Sequence, residues 1–201
     1  MKTSIKTLIA TGLIAVSISS SSVVFANNNS AETKKPETIS ANKISLTTIK
    51  RLVVTGDVEV TLSQSPKSNT LCTSDDSNFV TFRKIGNALY VDAKKGTHNS
   101  KVTIYVDDIY RIDASQDAVI LSDNKLNLKY LQVYLKDNAY LDLNANTEQL
   151  YTVMQSSSRL NLKGHTNAHT ITMDKASRVS LEKFTSKNTE RLSDVYVGSR
   201  M

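Results

Sequence analysis

The chain has 201 residues, 22% charged and 39% hydrophobic, with 25 basic and 19 acidic side chains and one cysteine. A single cysteine excludes an internal disulfide framework, and about 160 residues of β-forming sequence can bury a core without one. The basic excess is scattered, with no Lys/Arg run interleaved with aromatics. That argues against nucleic acid as a partner and leaves weak attraction to anionic envelope polymers.

The first residues read as an export signal. Lys2 and Lys6 precede an apolar stretch from Leu8 to Ile18, then a Ser run and Val23-Val24-Phe25-Ala26. Val24 and Ala26 fit the −3 and −1 positions of a cleavage site, which predicts a signal peptide over 1–26. The apolar stretch is shorter than the roughly 20 residues of a membrane span, and no later segment is apolar enough, so no transmembrane span is expected after cleavage. The expected location is periplasmic, cell-surface or secreted. Removing Lys2 and Lys6, with no acid lost, lowers the net charge from +6 to +4.

Residues 27–43 are polar, with Lys34-Lys35-Pro36-Glu37 in the middle, and predict a flexible linker. From 44 to 201 the pattern is β. Val58, Val60 and Leu62 alternate with Glu59 and Thr61, and Val102, Ile104 and Val106 with Thr103 and Tyr105. Thr55-Gly56-Asp57 and Gly86-Asn87 are turn signals. No window holds a helical period. Cys72 reads as a small hydrophobe.

The second half repeats. Four segments, starting near Ile112, Val133, Thr152 and Ile171, share one plan: an apolar pair, a polar corner, a small residue, then an aliphatic two positions on. The small residues are Ala118, Ala139, Ser158 and Ser177; the aliphatics are Ile120, Leu141, Leu160 and Val179. Leu141, Leu160 and Val179 are spaced by 19 residues and Ile120 precedes Leu141 by 21. Each unit is too small to bury its own apolar face. The pattern therefore predicts an all-β, single-domain β-solenoid, β-helix-like, with coils of 19–21 residues stacked about 4.8 Å apart. Leu141, Leu160 and Val179 are expected to form an inward ladder. Ser193–Val197 reads as a truncated last copy whose edge, near Val195–Val197, offers a route to self-association.

Two stretches carry a resemblance. One is Ile49–Gln64, with Gly56 between two strands; the other runs from Gly86–Val91 through Lys101–Val106 into the repeats. The chain resembles the head-GIN-domain proteins of bacterial envelopes, often labelled autotransporter adhesins, over roughly Ile44 to Val197. The resemblance implies a β-solenoid-like fold, an extracytoplasmic location and, at the level of a label, adhesion. The family's corners are glycine-rich, whereas here they are Gln116-Asp117, Asp137-Asn138, Ser156-Ser157 and Asp174-Lys175. Asn and Asp tolerate the left-handed backbone best after Gly.

Chemistry-bearing residues are sparse. The three histidines, His98, His165 and His169, read as loop or corner residues, with no nucleophile elbow nearby. His165 and His169 flank an expected corner and are metal candidates that would need further ligands such as Asp174 or Cys72. Asp75-Asp76 and Asp107-Asp108 are adjacent pairs, whereas glycosidases hold two carboxyls about 5 to 9 Å apart across a cleft. No catalytic residue and no cofactor is expected. The binding signal lies in the tyrosines. Tyr105, Tyr110, Tyr130, Tyr134, Tyr140 and Tyr151 cluster in sequence, and Tyr134 and Tyr140 are out of phase with the inward aliphatics. They are expected to face out beside Arg159 and Arg178. Tyr140, Arg159 and Arg178 share one repeat position and are expected to align as an outward ladder. The expected partner is a protein or polysaccharide of the envelope. A carbohydrate-active enzyme and a self-associating structural protein are the alternatives.

Overall fold

The computed structural model describes residues 37–39, 44–45, 49–65, 70–73, 79–94 and 100–192, and among them there is no helix. The strands are β1 (Glu37–Ile39), β2 (Ile44–Ser45), β3 (Arg51–Thr55), β4 (Val58–Gln64), β5 (Thr70–Thr73), β6 (Val80–Ile85) and β7 (Ala88–Ala93). They continue as β8 (Ser100–Val106), β9 (Arg111–Ser115), β10 (Val119–Ser122), β11 (Leu126–Leu135), β12 (Tyr140–Met154), β13 (Arg159–Met173) and β14 (Arg178–Leu192). The signal and linker segments fall almost wholly outside the described residues. So do Asp75-Asp76, His98 and Val195–Val197. Cys72 stands in β5 opposite Thr103 of β8.

All these strands belong to one sheet. Its order has two limbs, β7-β3-β9-β11 and β8-β4-β10, which meet on β12; β13 then lies against β12 and β14 against β13. Pairing through both limbs to β14 is parallel. Antiparallel strands cover the other ends, β6 and β1 on β7, and β5 and β2 on β8. Parallel pairing needs long connections between neighbours. From β9 to β14 parallel partners lie about a repeat of 19–21 residues apart, whereas β3 and β4 pair with strands 37 to 60 positions away.

The registers explain the spacing seen in the sequence. Leu141 pairs with Ile120 on one side and Leu160 on the other, and Leu160 pairs with Val179. Leu141 and Leu160 are buried; Val179 is half-buried because no described strand covers β14. The row extends back through Val60 to Val102. A second buried row runs Leu89, Leu52, Ile112, Val133, Thr152 and Ile171. Alternation along each strand sends the intervening polar residues outward.

The corners close as their small residues require. Ala118, Ala139, Ser158 and Ser177 are all buried. Gln116, Asp137 and Ser156 take φ of 61°, 61° and 64°, the left-handed conformation that glycine adopts most readily. The fourth corner has no left-handed residue. Instead Asp174 accepts the N–H groups of Ala176 and Ser177 and the Ser177 hydroxyl on Oδ1, and the Ser156 N–H on Oδ2. Burial opposes ionisation of Asp174, but the Ser177 hydroxyl and these backbone donors outweigh it and hold the carboxyl below its usual range.

Two features differ from the sequence expectation. β12, β13 and β14 are continuous 15-residue strands rather than short strands broken by corners. His165 and His169 therefore lie inside β13, not at a corner. The spacing also shifts from 19 to 20 at a bulge between Asn161 and Lys163, so that Gly164 pairs with Phe184. Gly164 has φ +102°, and a Cβ there would sit 2.2 Å from the Ala145 carbonyl oxygen, so only glycine fits.

Candidate functional site

Tyr140, Arg159 and Arg178 open β12, β13 and β14, and the register places them side by side: Tyr140 pairs with Arg159 and Arg159 with Arg178. Each follows a buried small residue, so strand alternation turns it outward. Their backbones are fixed by the preceding circuit. The N–H groups of Tyr140, Arg159 and Arg178 donate to the carbonyls of Ala118, Ala139 and Ser158 at 2.9, 2.9 and 3.0 Å. The Arg159 guanidinium stands 5.5 Å from the Tyr140 ring centroid, a cation–π contact worth about 0.5–1 kcal/mol at an exposed site. Arg159 and Arg178 are exposed and Tyr140 half-buried.

The three side chains border an open hollow of about 520 Å³ whose lining also includes Asn161, Lys163, Glu182 and Lys183. Lys163 and Asn161 are both held by Asp142, Lys163 at 2.9 Å and the Asn161 amide at 3.1 Å. The bulge after Asn161 sets Lys183 directly opposite Lys163. A second hollow of about 290 Å³ lies across Arg159 and Arg178, against Asn138, Ser157 and Ala176. The two arginines thus form a ridge between two depressions.

Tyr134 is placed elsewhere. It faces out, but on the other limb, away from Arg159 and Arg178. The Arg111 guanidinium lies 3.9 Å from its ring centroid, and the Tyr151 ring is 6.0 Å away. Asp113 bridges Arg51 at 2.8 Å and Arg111 at 2.6 Å, and its bond to Arg111 raises that guanidinium's pKa. The sequence analysis missed this cluster. Its members are separated by 60 and 21 positions, and only the pairings Arg51–Arg111 and Asp113–Tyr134 bring them together. Tyr110 and Tyr130 are exposed on the same limb.

The histidines do different things. His165 Nδ1 lies 3.1 Å from Thr185 Oγ1 at the surface. His169 is buried, with Nε2 3.1 Å from Thr152 Oγ1 and its ring edge-on to Phe184. Burial, with a smaller contribution from Arg191, lowers its pKa from 6.5 to about 4, so it is neutral at physiological pH. Among the described residues no three His, Cys, Asp or Glu side chains are grouped to hold a metal ion. Asp108 pairs with Lys50.

The fold defines the class first: an all-β protein whose described strands form one sheet with parallel central pairings. The family model described as "Putative auto-transporter adhesin, head GIN domain" matches residues 47–193, and the chain belongs to that family. The resemblance seen in Ile49–Gln64 and Gly86–Val106 therefore holds. Comparison with curated proteins gives no match. Among solved structures, the chain is similar to "a putative adhesin" from Bacteroides fragilis NCTC 9343, with TM-score 0.62 and 12% identity over 81% of this chain and 78% of that one. A "putative lipid binding protein" from Parabacteroides distasonis ATCC 8503 matches with TM-score 0.59 and 11% identity over 80% and 79%. A "putative adhesin" from Parabacteroides merdae ATCC 43184 matches with TM-score 0.53 and 14% identity over 80% and 78%. At these identities the likeness is one of fold.

Proposed function

We propose that this chain is an exported, non-catalytic β-solenoid of 19–21-residue coils that serves as an adhesion or binding module for an envelope protein or polysaccharide. The observation that carries this reading is the alignment of Tyr140, Arg159 and Arg178 on three successive strands beside an open hollow. Aromatic and arginine side chains held on a rigid scaffold make efficient contacts, because little conformational freedom is lost on binding. The family description and the export signal over 1–26 agree with action outside the cytoplasm, in the periplasm, on the cell surface or in the medium.

Self-association is a second reading, favoured by one observation. Among the described strands β14 pairs only with β13, while the opposite ends of both limbs are covered by antiparallel strands. An open parallel edge is a template for another chain.

A glycan and envelope-protein array probed with the exported form tests the binding reading. The expected result is a ligand captured by the native chain and lost, about tenfold or more, by Tyr140→Ala/Arg159→Ala/Arg178→Ala with its melting temperature unchanged. Capture that survives the triple substitution overturns the site.

A further inference from the structure

The hollow beside the arginine ridge has a charge arrangement that the fold does not need. Arg159 stands directly opposite Arg178, and Lys163 directly opposite Lys183, in two columns with that of Asn161 and Ser180 between them. Like charges facing each other across neighbouring strands destabilise a sheet. Asp142 neutralises Lys163, but among the described residues no carboxylate forms an ion pair with Arg159, Arg178 or Lys183. Of the side chains lining the hollow, Glu182 is the sole acid. The other limb shows the contrast: Arg51 and Arg111 also pair directly, and there Asp113 bridges them.

We propose that this hollow takes an acidic polysaccharide, a chain carrying a carboxylate on successive sugars and lying across the strands. This rests on the binding reading above and names its ligand class. Neighbouring strands lie about 4.8 Å apart. That is about the length of one sugar in an extended chain, so successive carboxylates would meet Arg159 and then Arg178. Each guanidinium can receive a carboxylate in a two-pronged hydrogen bond. Lys183, brought opposite Lys163 by the bulge, adds a third charge to the lining. Tyr140, with Arg159 against its ring, offers an aromatic face for a sugar ring, and Ser180 offers a hydroxyl within the hollow. A polypeptide of acidic residues would supply the charge but no ring for Tyr140.

Titration of the exported form with polygalacturonate, with polyglutamate of equal charge count and with neutral dextran tests the proposal. Polygalacturonate is expected to bind about tenfold or more tighter than polyglutamate, and dextran not at all. Raising salt from about 50 to about 500 mM is expected to weaken binding steeply, as for exposed charges. Arg159→Gln/Arg178→Gln is expected to weaken binding about tenfold or more, while Lys125→Gln/Lys187→Gln, which removes the same charge elsewhere, leaves it within about twofold. Melting temperatures confirm that each variant is folded. Equal loss in both double variants, a preference for polyglutamate, or no binding to polygalacturonate overturns the proposal. Capture of dextran or an envelope protein through Tyr140 and the two arginines would also overturn it, while leaving the broader binding reading intact.

Discussion

His169 and Thr152 are joined inside the sheet: the histidine Nε2 lies 3.1 Å from the threonine Oγ1, and its Nδ1 is buried without a partner. The pair occupies positions that aliphatic residues fill on other circuits. Leu131 and Leu150 stand in the column of His169, and Val133 and Ile171 flank Thr152. A polar pair in an apolar column is costly unless its hydrogen bond is made and the imidazole stays neutral.

That neutrality gives a pH dependence. The folded pKa of about 4 lies below the ordinary 6.5, so the unfolded chain takes up the proton first as pH falls. Stability from His169 is complete above the unfolded value and is lost between pH 6.5 and about 4. Thermal melts are expected to be flat above this window and to decline through it. His169→Leu is expected to remove the decline; a variant that keeps it would contradict the assignment. The Asp174 carboxylate, held below its usual range, acts in a separate and lower window.

The inward rows predict a gradient of cost along the stack. Leu141 is fully buried between Ile120 and Leu160, and Leu141→Ala is expected to cost about 2–5 kcal/mol in urea unfolding. Val179 stands on the open strand and is half-buried, so Val179→Ala is expected to cost about 1 kcal/mol or less. Equal costs would mean that β14 is covered in solution.

Backbone conformation predicts opposite signs for substitution to glycine at two corners and away from glycine at Gly164. Ser156 is left-handed, and its bonds at the corner, such as the N–H donated to Asp174, are made by its backbone. Ser156→Gly keeps those bonds and relieves the strain, and is expected to stabilise by about 0.5–1 kcal/mol. Asp137→Gly relieves the same strain but loses the carboxylate that accepts the Gln116 N–H, so its gain is expected to be smaller. Gly164→Ala drives a Cβ into the Ala145 carbonyl and is expected to cost several kcal/mol or abolish folding. Urea unfolding of the three variants checks the order.

The parts of the fold legible in the sequence were those where like residues stack on like. The 19-residue interval placed Leu141 against Leu160 and Tyr140 against Arg159, because each circuit must return to the same register for the apolar row to stay buried. Three things were not legible. The bulge between Asn161 and Lys163 alters the interval by one residue, and nothing in the local sequence marks it. The inward position of His169 is hidden because His is common on surfaces, and its column runs from Leu131 and Leu150 through His169 to Thr189. The Arg51–Asp113–Arg111 cluster joins segments separated by the whole circuit of β4 to β8. Gln64 shows the same long reach: its side chain bonds the backbones of Asp107 and Asn127, tying three segments at one corner.

Hydrogen-exchange footprinting of residues 27–201, with and without any ligand captured on the array, tests the central claim most directly. Protection confined to residues near Tyr140, Arg159–Lys163 and Arg178–Lys183 is the predicted result. Protection on the Arg111–Tyr134–Tyr151 strip, with none at Arg159 and Arg178, would contradict it.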